Sequence, residues 1–212
     1  MRHPHGLRAA AAAELPAIGA AFEGGFFAGL ISHTANGVAT HGLIVAPSAS
    51  GYNGQATLLW KTTNTSTAGT TSPFDGAINS ANMNNASHPA AQYCEGLTIG
   101  GYSDWYLPAR YELDIAYENL KPTTTSNSTS WGINAYAVPA RASNRTAGAP
   151  AQTSLAAFQV GGAEDFVAGY HLSSTEYNAT TAWQLDFSNG VQANGFKSSD
   201  LGYVRAFRKV AL

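Results

Sequence analysis

The segment that decides the fold is residues 171–210, with the sequence HLSSTEYNATTAWQLDFSNGVQANGFKSSDLGYVRAFRKV. Residues that look fixed, such as Gln192, Lys197 and Val204, alternate here with small or polar residues that follow no evident pattern. This arrangement is typical of a rigid scaffold that displays exchangeable side chains. We therefore expect the segment to serve binding rather than chemistry.

The spacing of apolar residues predicts a series of short strands. These strand-like runs occur at residues 26–31, 43–46, 58–60, 166–172, 182–187, 191–196 and 203–210. Residues 188–190, Ser-Asn-Gly, predict a hairpin turn between two of them. In the last run, Val204 and Arg208 should face one side of a sheet, and Tyr203 and Arg205 the other.

Two helices are expected, one near residues 88–96 with Ser87 as its cap and one near residues 108–120. Together with the strands they predict one loop-rich α+β domain over residues 22–212. Residues 1–21 differ from it in composition, and we interpret them as a leader or an attachment segment. The alternation of short strands with only two helices argues against a parallel, doubly wound sheet.

Composition excludes several classes of protein. The chain has 212 residues, a net charge of −2 and only 11% charged residues. Neither a nucleic-acid surface nor an acidic tail is indicated. The alanine-rich start is interrupted by Glu14 and Pro16, so no signal peptide is predicted. No segment is long and apolar enough to span a bilayer, and we expect synthesis in the cytoplasm.

The motifs of common enzymes are missing from the sequence. It has no phosphate-binding glycine loop and no Gly-x-Ser-x-Gly elbow, and its histidines lack metal-site spacing. Cys94 is the only cysteine, which excludes an intrachain disulfide and argues against thiol-pair chemistry. Glu176 and Asp186 could form a carboxylate pair for glycoside cleavage, but structural roles are favoured. We expect no enzyme activity, no cofactor and no metal ion.

Several residues have expected structural roles. Trp105 and Trp183 are predicted in the core, because buried indoles compensate for few long aliphatic runs. Asp104 is expected to orient the turn before the second helix. Residues 123–150 form a long polar connection, and such a stretch inside a compact domain is usually functional or mobile. Ion pairs are expected between the C-terminal arginines and acids, namely Arg205 and Arg208 with Glu112 or Glu176.

A second segment, residues 101–113, reads GYSDWYLPARYEL. It resembles the DWRLPT-x-x-EL segment of the Legionella collagen-like adhesin C-terminal domain family. In that family a WSSTE segment, an AW…F…G strand pair and a closing VR-x-x-R follow. They correspond here to residues 173–176, 182–190 and 204–208. Leu172 departs from the pattern, because the family usually has Trp at this position, and its local packing is therefore of interest.

The resemblance covers residues 22–210 and implies a C-type-lectin-like fold, related to the fold of the formylglycine-generating enzyme. Residues 24–29 and 44–47 are also similar to the start of phage-encoded members. The family includes phage tail receptor-binding proteins and bacterial adhesins. Several members are targets of diversity-generating retroelements, which rewrite adenines near the end of the gene.

The resemblance places a candidate ligand-binding surface near the C-terminus. Aromatic residues there are favoured as contacts, because rigid rings give a large contact area at low entropic cost. Adenine changes in AAC or AAT codons never produce Gln, Lys, Glu, Met or Trp, and these types do not occur among the candidates. The candidate ligand-binding residues are Tyr177, Val191, Ala193, Asn194, Gly195, Phe196, Ser198, Ser199, Asp200, Leu201, Gly202 and Tyr203.

These observations favour a phage tail protein, located in the virion, that binds a bacterial surface receptor of protein or polysaccharide. We expect a homo-oligomer, such as a trimer, whose N-terminal segment contacts other virion tail proteins. Two alternatives stay open: a tail or fibre decoration without receptor binding, and a bacterial adhesin for host polysaccharide. Aromatic residues exposed at the C-terminal hairpin would favour binding, whereas a buried hairpin would favour the structural role.

Overall fold

Two five-stranded sheets organise the chain, which a computed structural model describes over residues 15–212. The strands are β1 (Ala21–Phe22), β2 (Gly25–Ile31), β3 (His41–Val45), β4 (Thr57–Leu58), β5 (Ala137–Val138), β6 (Tyr170–Glu176), β7 (Thr181–Asp186), β8 (Gln192–Phe196), β9 (Gly202–Tyr203) and β10 (Phe207–Ala211). The helices are α1 (Ser48–Gly51), α2 (Gly76–Ala81), α3 (Pro89–Glu95) and α4 (Arg110–Leu120). Most of the expected attachment segment lies outside the described residues.

The first sheet has the order β1-β2-β3-β10, and β5 also pairs with β2. The strands predicted over residues 26–31 and 43–46 are confirmed as β2 and β3. A bulge between Phe27 and Gly29 interrupts β2. Gly29 has a φ of +142°, and a Cβ there would lie 2.6 Å from Asn119 Nδ2 of α4. Glycine at this position therefore lets α4 pack directly on the sheet.

The second sheet has the order β4-β9-β6-β7-β8, so β8 is an edge strand. The predicted hairpin turn between β7 and β8 is confirmed: Gly190 has a φ of +76° and its N–H donates to Asp186 O at 2.7 Å. Asp200 covers the free edge of β8 at its last residue, Phe196. Its N–H donates to Phe196 O at 3.0 Å, and its Oδ2 accepts from Phe196 N at 2.9 Å.

The single strand predicted over residues 203–210 is wrong, because the chain changes sheets within it. β9 belongs to the second sheet and β10 to the first. Between them, Arg205 is 1% exposed and its guanidinium lies 2.7 Å from Glu164 Oε2. Residues 204–208 are all buried. The expected alternation of faces therefore does not occur, since both sides of this crossing are covered.

Other elements are displaced from their predicted positions. The strand predicted over residues 166–172 is confirmed only over residues 170–172, because β6 starts at Tyr170 and Phe166 instead stacks on Phe187 at 4.2 Å. Both predicted helices are confirmed as α3 and α4, whereas α1 and α2 were not predicted. His88, not Ser87, stands at the N-cap position of α3, and its side chain makes no capping hydrogen bond. Within the described residues, no helix has the length and apolar character needed to cross a membrane.

Two clusters of buried apolar side chains lie on opposite sides of β3. Leu43 and Val45 belong to the cluster that includes α4, and Ile44 belongs to the cluster that includes α3. Trp105 is 1% exposed in the second cluster, as predicted. Trp60, expected at the end of a strand, follows β4 and is also buried there. The mixed α+β class is thus confirmed.

Glu112 joins three parts of the fold from a fully buried position. Its Oε2 accepts from Ala109 N at 2.7 Å and from Gly76 N at 3.2 Å, at the starts of α4 and α2. Its Oε1 accepts from the hydroxyl of Tyr106 at 2.8 Å. Burial raises the pKa of Glu112 to about 7. With these contacts Glu112 is not a partner of the C-terminal arginines.

The C-terminal arginines form ion pairs with acids other than those expected. Arg208 binds both carboxylate oxygens of Asp104, at 2.7 and 3.0 Å, and lies 2.8 Å from Glu23 Oε2. Glu176 pairs instead with Lys197, at 2.7 Å. Asp104 therefore holds β10 against the loop before α4. The prediction of ion pairing is confirmed, but the predicted partners are wrong.

We expect Glu112→Ala to lower the free energy of unfolding by about 3–5 kcal/mol, because the change leaves three buried donors without an acceptor. Glu95→Ala is the control, because Glu95 is only half-buried at the end of α3. Its loss should stay below about 1 kcal/mol. Urea denaturation measures both, and equal losses would contradict the role given to Glu112.

Acid should destabilise the protein, because buried histidines are held neutral. His171 Nε2 accepts from the hydroxyl of Tyr52, and its Nδ1 contacts Gly169 O at 3.0 Å. Burial lowers the pKa of His171 to about 3, and that of His33 and His88 to about 4. Unfolded histidines titrate near 6.5. The unfolded chain therefore binds more protons below that pH, and stability falls as the pH drops toward the folded pKa values.

The variant His171→Asn isolates the contribution of His171 to the pH dependence of stability. It should lower the slope of unfolding free energy against pH, between pH 6.5 and 4, by at most about 1.4 kcal/mol per unit. Urea midpoints at several pH values in this range give the slope. Identical slopes for the variant and the parent protein would show that His171 does not contribute to the acid sensitivity.

Candidate ligand-binding surface

The register of β7 and β8 places alternate side chains on one outer face of the second sheet. Trp183 is directly opposite Asn194, and Thr181 is directly opposite Phe196. Opposite residues of an antiparallel pair point to the same side. Phe196 is 53% exposed and Asn194 is also exposed. This face, which we call the β7–β8 face, is therefore open to solvent.

Arg110, the first residue of α4, lies against the β7–β8 face. Its Nε donates to Gln192 Oε1, and its Cζ is 3.7 Å from the ring centre of Trp183. The ring centres of Tyr111 and Trp131 are 5.2 and 5.6 Å from the same atom. Loss of hydration by burial lowers the pKa of Arg110, but a guanidinium stays charged at neutral pH. A cation is thus held among aromatic rings.

Trp183 is half-buried and is not the core residue that was predicted. Its ring packs edge-on against those of Tyr177 and Trp131, with ring centres 4.9 and 6.1 Å away. Tyr177 is 51% exposed. The alternation of β7 explains the error, because Ala182 takes the inward position and Trp183 the outward one. The core position in this part of β7 is thus filled by the small side chain of Ala182, and the indole of Trp183 lies on the outer face.

A shallow depression of about 270 Å³ opens beside Arg110. Its walls include the half-buried ring of Trp131 and the side chain of Ile133, which is 53% exposed. Exposed polar groups of Ser130 and Asn144 also line it. The depression therefore combines one cation, apolar surface and neutral hydrogen-bonding groups.

The connection over residues 123–150, predicted to be functional or mobile, supplies most of these walls and is firmly held. Asn127 is buried, its amide donates to Pro150 O at 2.8 Å, and its Oδ1 accepts from Tyr117 at 2.6 Å. Arg145 forms ion pairs with Asp114 and Glu118 of α4. These contacts fix an irregular segment against a helix.

The sequence profile of the Lcl C-terminal domain matches residues 52–208. The matched region includes α4, β7, β8 and every residue that lines the depression. The chain belongs to the Lcl C-terminal domain family. This family membership confirms the resemblance seen in the sequence and indicates an adhesin-like binding domain. Comparison with curated proteins gave no match.

In this Lcl C-terminal domain the candidate binding residues differ in exposure. The exposed ones are Tyr177, Asn194, Phe196, Ser199, Asp200 and Leu201. The half-buried ones are Val191, Ala193, Ser198 and Tyr203. The buried ones are Gly195 and Gly202. Only part of the candidate set therefore forms a surface, and Tyr177, Asn194 and Phe196 share it with Arg110.

The less exposed candidates support the scaffold. A Cβ at Gly202 would lie 2.6 Å from the side chain of Leu172, and a Cβ at Gly195 would lie 3.0 Å from that of Asp200. Leu172, where the family usually has Trp, is 4% exposed and packs in the core. The ring of Tyr203 lies 5.5 Å from that of His171, centre to centre. These positions leave little room for larger side chains.

The residues that looked fixed in the sequence are buried. Val204 and Lys197 are 0% exposed and Gln192 is 2% exposed. The ammonium group of Lys197 donates to Thr65 O at 3.1 Å, to Ala179 O at 3.0 Å and to Glu176 at 2.7 Å. It therefore joins two loops to β6. The exposed candidates lie between these buried positions along the chain.

The carboxylate pair considered for glycoside cleavage has structural contacts. Glu176 also accepts from Thr67 N at 2.7 Å. Asp186 accepts from Ser188 N at 2.8 Å within the hairpin turn. Over residues 15–212, no group of three or more His, Cys, Asp or Glu side chains is placed to hold a metal ion.

Sequence reasoning missed Arg110, Trp131 and Ile133 as surface residues. Arg110 lies in the family-like segment at the start of α4, where its type alone does not show whether an acid pairs with it. Trp131 and Ile133 stand in a connection that is otherwise polar. A single exposed apolar residue is ordinary, and only its neighbours in the fold show that it belongs to a larger patch.

Truncating two tryptophans should separate core from surface. We expect Trp105→Ala to cost about 3–5 kcal/mol of unfolding free energy. Trp183→Ala should cost only about 1–2 kcal/mol, because it removes a half-buried ring and its contact with Arg110. Urea denaturation measures both variants. Equally large losses would show that Trp183 acts as a core residue.

Proposed function

We propose that this domain is the receptor-binding head of a phage tail protein and that the β7–β8 face contacts a bacterial surface receptor. The observation that carries the proposal is the set of aromatic side chains on the β7–β8 face, where Trp183 lies against Arg110 and the ring of Tyr177 packs on Trp183 at 4.9 Å. Tyr177 and Phe196 are both more than half exposed, at 51% and 53%. Large rigid side chains gathered on an open face are typical of a contact surface, because they bury much area at low entropic cost.

A C-type-lectin-like fold is part of the proposal. Its support is the family membership together with the pairing of strands from both ends of the chain in the first sheet. β1, β2 and β3 precede the matched residues, yet β3 pairs with β10 along five residues. The second sheet packs on the first through shared apolar clusters, and its edge strand β8 carries exposed side chains such as Asn194 and Phe196. This division suits a head whose binding residues vary while its base stays constant.

Diversification by a retroelement fits the same division. Buried Gln192, Lys197 and Val204 hold the segment, and exposed residues between them can change at little cost to stability. The genomic test is simple. A neighbouring reverse-transcriptase gene and an adenine-rich near-copy of the gene's 3′ end would support it, and their absence would remove this part of the proposal.

We further propose a homo-oligomer located in the virion and made in the host cytoplasm. A single shallow site binds weakly, whereas linked copies can raise apparent affinity by roughly 10²–10⁴. A trimer would suit a tail tip. Residues 1–21 would attach the head to other virion tail proteins, and the domain would bind without enzyme activity.

The double variant Tyr177→Ser/Phe196→Ser should reduce adsorption to host bacteria by at least about tenfold, because aromatic anchors often contribute about 2 kcal/mol each. The matched control is Ile78→Ser/Val160→Ser, which removes two apolar side chains that are 57% and 60% exposed elsewhere. Adsorption of purified protein or particles is measured, and circular dichroism checks folding.

The outcome separates the proposal from its alternatives. Unchanged adsorption by the folded double variant would favour a structural decoration of the tail. Equal losses in the variant and in the control would show that the β7–β8 face has no special role. Binding of the parent protein to host polysaccharide but not to bacteria would favour a bacterial adhesin.

A further inference from the structure

We infer that Arg110 and the adjoining depression bind the carboxylate of an acidic sugar unit in the receptor. This inference rests on the proposed binding function and names the ligand class for the same surface. Three features carry it: an arginine without an acidic partner, a guanidinium held in a fixed plane, and a depression with room for one sugar ring.

Arg110 differs from the other arginines between residues 15 and 212, because no Asp or Glu within that range forms an ion pair with it. Each of the others contacts Asp or Glu: Arg141, Arg145, Arg205 and Arg208. Arg110 is half-buried, so its charge loses part of its hydration without gaining a counter-ion, and a bound anion would offset that cost. The missing carboxylate is therefore expected to come from the ligand.

The orientation of the guanidinium suits a carboxylate. Its Nε is occupied by Gln192, whose own amide donates to Asp114 Oδ1 at 2.9 Å. Stacking on Trp183 at 3.7 Å fixes the plane of the group. The two terminal amino groups remain available, and a carboxylate in the same plane can accept from both in parallel.

The depression fits a single ring. Its volume of about 270 Å³ is below the roughly 300 Å³ at which pockets for drug-sized ligands begin. Trp131 and Ile133 offer apolar surface to the C–H face of a pyranose. Ser130 and Asn144 offer hydrogen-bonding groups to its hydroxyls.

The surrounding charges favour isolated carboxylates over a dense polyanion. The lysines are all engaged elsewhere: Lys61, Lys121 and Lys197 donate to backbone carbonyls, and Lys209 pairs with Asp75. The depression therefore offers a single positive charge. A densely sulfated chain would need a row of cations to bind well, whereas a polysaccharide with one acidic sugar per repeat needs only one.

NMR titration of the purified protein with small probes tests the inference. The probes are glucuronate, its neutral methyl ester, glucose 6-sulfate, and glutamate with both backbone ends blocked. We expect glucuronate to bind about tenfold or more tightly than the ester, because a hydrogen-bonded charge pair is lost in the ester. Glucuronate should also bind more tightly than the sulfate and the blocked glutamate.

Variants assign the preference to named residues. Arg110→Gln should abolish the preference for glucuronate over the ester, and Arg110→Lys should reduce it, because lysine keeps the charge but loses the planar pair of donors. Trp131→Ala should lower the affinity for glucuronate and for the ester alike, so that the ratio of the two affinities stays unchanged. The control variant Ile78→Ser should leave both affinities unchanged. Melting temperatures confirm folding, and the lysine variant keeps the test decisive if the glutamine variant does not fold.

Four results would overturn the inference: no binding of glucuronate, equal affinity for glucuronate and its ester, a preference that is undiminished in folded Arg110→Gln or Arg110→Lys, or blocked glutamate binding as tightly as glucuronate. The last result would point to an acidic peptide instead. Loss of adsorption in the Tyr177/Phe196 variant without glucuronate binding would refute only this inference. Glucuronate binding without any loss of adsorption would refute the proposed function.

Discussion

The position of the binding surface depends on one buried carboxylate, that of Glu112. It accepts hydrogen bonds from Ala109 N and the Tyr106 hydroxyl, in and before the start of α4, and from Gly76 N at the start of α2, and so fixes α4 and the loop before it against α2. Gly76 is required for this approach, because a Cβ there would lie 2.5 Å from the carboxylate. Arg110 follows the cap of α4 directly. Its contact with Trp183 is therefore set by the same carboxylate that holds the helices together.

Buried cations stabilise loops of this fold that in other proteins would be held by an aliphatic core. Lys197 and Arg205 are almost completely enclosed, yet each donates to backbone carbonyls of segments that lack regular structure. Irregular backbone has unpaired carbonyls, and a side chain with several donors can satisfy more than one of them. Such cross-links need partners at fixed positions, so they define one loop arrangement more strictly than apolar contacts do. A loop-rich chain with few aliphatic residues can in this way still present a rigid face.

Local patterns predicted local structure well and long-range contacts poorly. The periodicity around Leu113 identified α4, and Ser188-Asn189-Gly190 identified the hairpin turn, because both signals depend on neighbours in sequence. The run after Gly202 looked like one strand, since nothing in its residue types shows that the chain passes from one sheet to the other. The acidic partner of Arg208 depends equally on the tertiary fold. Trp183 was misassigned because an indole suits the core and an aromatic surface equally well, and only the register of β7 decides between them.

The cover that Asp200 places on β8 bears on the solubility of any variant of this surface. An exposed sheet edge with aromatic side chains beside it can recruit the strands of other molecules and seed aggregates. Here both backbone groups of Phe196 are bonded to Asp200, so the ring is offered to solvent while the peptide group is not. The side chain of Phe196 can therefore vary, while its backbone stays protected by Asp200. A lineage that altered its binding surface freely would still be under selection to keep a short acceptor at position 200.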